Sequence, residues 1–110
     1  MNKVNTLKEN REFSYLYRRG KSLVTPVVVI YYKRNYSKVS RFGITTSKKI
    51  GNAVKRNRAR RIIRAAFWEI SPFLKENYDF IFVARGKTPY VKSTDIKKAM
   101  LRQFKENKLI

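Results

Sequence analysis

A chain of 110 residues suffices for one domain with its own apolar core, and 43% hydrophobic residues supply the material. With 27 Lys and Arg against 7 Asp and Glu, the net charge of +20 opposes compaction unless a polyanion relieves it. A nucleic acid is therefore the expected partner, and an anionic membrane surface the weaker one. Cys and His are both absent, which excludes a disulfide framework, a Cys/His zinc site and His- or Cys-based nucleophilic catalysis.

Met1 to Asn5 lack the apolar core of a signal peptide, and a cytoplasmic location is expected. The first predicted helix starts at Asn10 as N-cap, with Glu12 in its first turn. It ends at Arg19, with Gly20 taking a left-handed C′ position. Phe13, Leu16 and Tyr17 share one of its faces. A β-branched and aromatic strand follows from Pro26 to Lys33. Its alternation sends Val27, Val29 and Tyr31 one way and Val28, Ile30 and Tyr32 the other. The run Val27 to Tyr32 is the longest apolar one in the chain, far short of the roughly 18 residues of a membrane span. A polar turn at Arg34 to Lys38 leads to a second strand over Ser40 to Ser47, and the two are expected to form a hairpin.

The clearest element is a helix from about Asn52 to Ile70. Ala59, Ile62, Ile63, Ala66 and Ile70 form its apolar stripe; Asn57, Arg60, Arg61, Arg64 and Trp68 lie opposite, with Arg56 and Phe67 on the boundary. Ser71-Pro72 stops it. A third strand runs from Tyr78 to Arg85, and a last helix from Thr94, as N-cap, to about Asn107, with Ile96, Met100 and Phe104 facing the core. The order predicts an α+β fold over residues 1–110: a two-layer α/β sandwich with a mixed sheet of about four strands and three helices. A parallel crossover through the basic helix into the Tyr78 strand fits this order.

The basic charge is concentrated. No acid lies between Phe13 and Trp68, a stretch that carries fifteen Lys or Arg. Within it, Lys48 to Arg64 has eight Lys or Arg in seventeen residues. Guanidinium groups on one helix face bind phosphates bidentately, and the helix start near Gly51 favours an anion. A merely solvated basic face usually carries acids four residues away, and here none occurs before Glu69. Two further groups are candidates. Phe13, Tyr17 and either Tyr31 or Tyr32 form a stacking floor for unpaired bases or, as the more common fate of such rings, part of the core. Thr45, Thr46 and Ser47 offer hydroxyls to a nucleic-acid backbone or are ordinary strand residues. Scattered carboxylates give no paired catalytic site, so no catalytic residue is assigned.

The run Lys48 to Arg64, with Arg56-Asn57-Arg58 followed by Arg60, Arg61 and Arg64, closely resembles the signature of the bacterial ribonuclease P protein family. Leu7-Lys8 with Phe13, Tyr17 and Gly20, the strand Val28 to Tyr31, Arg41 with Gly43, and the strand Ile81 to Arg85 extend the similarity over nearly the whole chain. The resemblance implies a sandwich with a left-handed βαβ crossover through the basic helix, against the usual right-handed rule. It implies docking on the catalytic ribonuclease P RNA through Lys48, Lys49, Lys55, Arg56, Asn57, Arg58, Arg60, Arg61 and Arg64. It also implies a cleft for the 5′ leader of precursor tRNA at Phe13, Tyr17, Tyr31 and Thr45, which makes those rings a stacking surface; the position of Tyr17 is often Phe in the family. The implied activity is removal of the leader, with Mg2+ bound mainly by the RNA subunit and no metal, membrane or small-molecule site assigned to the protein. The competing readings are a ribosomal-type or chaperone RNA-binding protein and a DNA-binding architectural protein.

Overall fold

The computed structural model describes residues 4–110. Five strands form one mixed sheet: β1 (Val4–Thr6), β2 (Lys21–Val24), β3 (Val28–Arg34), β4 (Ser40–Thr45) and β5 (Tyr78–Ala84), in the spatial order β1-β4-β5-β3-β2. Three helices accompany it: α1 (Asn10–Arg19), α2 (Ala53–Ile70) and α3 (Ser93–Glu106). β1 and β2 lie beyond the strands expected from sequence. β1 has only three residues and β2 exposes three of its four, so neither carries the apolar run by which a buried strand is recognised.

The hairpin expected between the Pro26–Lys33 and Ser40–Ser47 strands does not form. β5 lies between β3 and β4, antiparallel to β3 and parallel to β4. β5 buries Tyr78, Phe80, Ile81, Phe82 and Ala84, and a strand that is apolar on both faces belongs in the middle of a sheet, not at its edge. The link from β4 to β5 is the crossover through α2.

Strand alternation divides the molecule. Val28, Ile30 and Tyr32 of β3, Phe42 of β4 and Phe80 and Phe82 of β5 face α2 and α3, in a core with Ile63, Phe67, Ile96, Met100 and Phe104. Phe67, placed on the helix boundary by periodicity, is fully buried. Its ring lies 5.2 Å from Phe42, 5.2 Å from Phe80 and 5.0 Å from Phe82, which stabilises the fold by roughly 1.5–3 kcal/mol. The other sheet face carries a smaller cluster, in which Leu7, Leu16 and Ile81 are buried with Phe13, Tyr31 and Val83 against them. α1 covers this face only in part.

Three local expectations change. The N-cap of α1 is Glu9, not Asn10; the Glu12 carboxylate accepts from the backbone N–H of Glu9 at 3.0 Å and of Lys8 at 3.2 Å and so covers donors the helix start leaves open. Gly20 has φ −78° and is not left-handed. Glycine fits there because a Cβ would stand 2.6 Å from the Leu16 carbonyl oxygen and 2.9 Å from that of Tyr32. Lys92, not Thr94, is the N-cap of α3, since Asp95 accepts from the Lys92 N–H at 2.9 Å.

Candidate nucleic-acid interface

The basic surface is built on α2 and the turn before it. β4 ends at Thr45, two residues earlier than expected, and Lys48–Ile50 form a 3-10 turn that buries Ile50 and leaves Lys48 and Lys49 exposed. Gly51 follows with φ 139°, a conformation that side chains rarely adopt. The chain then reverses into α2, where Asn52 caps the helix by accepting from the Lys55 N–H at 3.0 Å.

The cations of the signature divide into two groups. Arg56 donates to the Gly51 carbonyl at 2.8 Å and Arg58 to the Pro89 carbonyl at 2.8 Å. Lys55 lies over the Tyr90 ring at 5.2 Å, and Arg60 donates to the Asn57 side chain at 3.1 Å. The side chains of Arg61 and Arg64, with those of Lys48 and Lys49, make no hydrogen bond or ion pair among the described residues, and all four residues are exposed. Elsewhere the acids are already engaged. Glu9, Glu12, Glu69, Glu76, Asp79 and Glu106 pair with Arg11, Arg41, Lys97, Arg34, Arg41 and Arg102, and Asp95 caps α3. α2 and its leading turn carry eight Lys or Arg with no acid partner among the described residues, a surface suited to phosphates.

Arg58 therefore has a structural role that its exposure hides. Arg58→Ala is expected to lower stability by about 1–2 kcal/mol, because the buried Pro89 loses a charged donor for its carbonyl. Arg61→Ala should shift stability by less than about 0.5 kcal/mol. Thermal denaturation of the two variants side by side checks this; equal midpoints would show that the Pro89 contact contributes nothing.

The second surface lies on the face that α1 half covers. Phe13 sits directly over Gly43, where a Cβ would approach its ring to 2.4 Å. Tyr17 meets Tyr31 edge-on with centroids 4.8 Å apart, and its hydroxyl donates to Thr45 Oγ1 at 3.4 Å. Phe13, Tyr17, Tyr31 and Thr45 thus converge on one surface. Tyr32 points the other way and is buried in the main core. Tyr17 stays 41% exposed, leaving ring surface for a base to stack on. The same face bears Val29 and Val83, both half-buried, with Val24 paired to Val29 and exposed; these extend the apolar floor and were not among the sequence candidates. The alternation of Val29 with Tyr31 was the available signal. Of the hydroxyl group of candidates, Thr45 belongs here, Thr46 has a buried hydroxyl without a partner among the described residues, and Ser47 is exposed on the turn.

One end of α1 is fastened by charge. Arg41 donates to Asp79 from Nε at 2.9 Å and from Nη2 at 2.7 Å, and its Nη1 pairs with Glu12. The Asn35 side chain donates to Asp79 at 2.9 Å. The Glu12 carboxyl is held below its usual range, first by the Glu9 N–H, with the Lys8 N–H and Arg41 adding to this and burial opposing it. Because the folded-state value is the lower one, this stabilisation is complete above the ordinary glutamate value and fades as pH falls through the folded value. The thermal midpoint should therefore drop on acidification below about pH 4.5, and Glu12→Gln should flatten that dependence. An unchanged slope in the variant would remove Glu12 from the account.

Known proteins match this chain over nearly its whole length. The family described as Ribonuclease P matches residues 1–108. The ribonuclease P protein component of Clostridium botulinum (strain Loch Maree) is 34% identical over 105 residues, covering 94% of this chain and 95% of that protein. That of Oceanobacillus iheyensis is 39% identical over 101 residues, covering 91% and 84%. Among solved structures, the RNase P protein of Staphylococcus aureus superposes with a TM-score of 0.79 at 30% identity, covering 94% of this chain and 95% of that one. The Thermotoga maritima protein gives 0.80 at 26%, covering 92% and 96%. The matched span, the shared fold and the basic signature on α2 together show that the chain belongs to the ribonuclease P protein family, the protein subunits of the endoribonuclease that processes the 5′ ends of tRNAs.

Proposed function

We propose that the two surfaces hold two parts of one ribonucleoprotein reaction: α2 and the Lys48–Ile50 turn dock on the catalytic RNA, and the aromatic floor beside α1 holds the single-stranded 5′ leader of precursor tRNA. The observation that carries this is the meeting of Phe13, Tyr17, Tyr31 and Thr45 from three separate elements on one partly open face. Rings stack on bases of any identity and the Thr45 hydroxyl reaches a backbone oxygen, so the leader is gripped with little sequence preference. Lys48 and Lys49 follow Thr45 closely in the chain and lead into α2, so one basic edge lies between leader and catalytic RNA.

In this reading, hydrolysis of the phosphodiester uses Mg2+ held by the RNA subunit, which supplies activated water and charge neutralisation. The protein lowers the repulsion between two polyanions, fixes the leader and so raises substrate affinity and the apparent affinity for metal. Its place of action is the cytoplasm.

Reconstitution tests the assignment. Ribonuclease P RNA, precursor tRNA and this protein are mixed at low Mg2+, where the RNA alone barely cleaves. Cleavage restored by the protein is the expected result. No stimulation at any Mg2+ or salt concentration would overturn it.

A further inference from the structure

The arginine face of α2 ends in an aromatic ring that the signature does not include. Trp68 is 56% exposed, although its neighbour Phe67 is fully buried in the core. At 100° per residue, Asn57, Arg61, Arg64 and Trp68 follow one another along a single line of the helix. Arg60, Arg61, Arg64, Ala65, Trp68 and Glu69 line one continuous concave surface. No other ring and no cation packs on Trp68 among the described residues. Glu69, the acid beside it, is neutralised by Lys97 at 2.9 Å, so the negative charge next to the ring is compensated from α3.

We infer that Trp68 is a stacking platform for an unpaired base of the RNA that α2 docks on, with Arg64 and Arg61, which precede it along the helix, holding the phosphates on that side. This rests on the docking of α2 proposed above. The occupant follows from charge complementarity: an apolar ring preceded along the helix by guanidinium groups, with the one acid of that surface, Glu69, paired to Lys97, suits a nucleobase and its adjoining phosphates. An apolar protein surface would leave those guanidinium groups without counter-charge.

Trp68 is the one tryptophan of the chain, so its emission reports directly on the ring. The intact protein is titrated with ribonuclease P RNA while complex formation is followed independently by filter retention. Emission is expected to fall by about half or more as the complex saturates, the mark of stacking. Trp68→Ala should weaken binding about tenfold and Trp68→Phe less than about threefold, both with the salt slope unchanged, because no phosphate contact is lost. Circular dichroism of both variants should match the parent, since the ring packs outside the core. Unaltered emission at full retention would overturn the inference while leaving the docking of α2 intact. A salt slope reduced in Trp68→Ala would also overturn it, by showing that the loss lies in the phosphate contacts. Absence of retention for the unsubstituted protein would overturn the docking and the stacking together.

Discussion

Replacing Arg61 and Arg64 together by alanine should weaken binding to ribonuclease P RNA by about 10²-fold and lower the slope of log affinity against log salt by nearly two units. Both side chains are exposed on one face of α2, and neither has an internal acceptor among the described residues, in contrast to Arg56 and Arg58. Their guanidinium groups are available for phosphates, and each contact removed returns one condensed counterion. The thermal midpoint should stay nearly constant, because an exposed cation without a partner adds little to the folded state and like-charge repulsion is relieved. Filter binding over a salt series, with a melting curve for each variant, makes the measurement. A reduced affinity with the slope unaltered would mean that these two arginines do not contact phosphate.

Removing the exposed ring of the second surface should have a different signature. Tyr17→Ala is expected to weaken binding of precursor tRNA to the holoenzyme by about tenfold, the range for one stacked base, and to leave mature tRNA unaffected. Phe13→Ala should show the same discrimination together with a loss of stability of about 2–4 kcal/mol, since its ring is the packing surface above Gly43. The two variants separate recognition from packing: Tyr17 is the more exposed of the two rings and Phe13 is half-buried. Equal losses for precursor and mature tRNA in Tyr17→Ala would show that the aromatic surface supports the fold and does not read the leader.

The two surfaces differ in how far the sequence announces them. The band of charge from Phe13 to Trp68 is a property of composition, visible without any fold. The period of α2 separates Ile62, Ile63 and Ala66 from Arg61 and Arg64 because a helix repeats every 3.6 residues whatever it packs against. From periodicity alone the aromatic surface was legible only as a set of candidates, and it was the family resemblance that singled out Phe13, Tyr17, Tyr31 and Thr45. Alternation along β3 shows that Tyr31 and Tyr32 point apart, but it is symmetric and does not say which of them meets the main core. That choice was made by α2 and α3, which cover the Tyr32 side and leave Tyr31 to α1.

By itself, then, the sequence determined the charge, the helix faces, the bounds of α2 and, through the Lys48 to Arg64 signature, the family. Tertiary structure alone decided that β5 separates β3 from β4, that Gly20 answers to two carbonyl oxygens and not to a left-handed turn, and that Arg56 and Arg58 donate to backbone carbonyls while Arg61 and Arg64 do not. The physical reason is range. Helical period, capping and net charge arise among residues a few positions apart, whereas strand order, close backbone approach and the partner of a guanidinium depend on groups such as Tyr32 and Pro89, 12 and 31 positions away from Gly20 and Arg58.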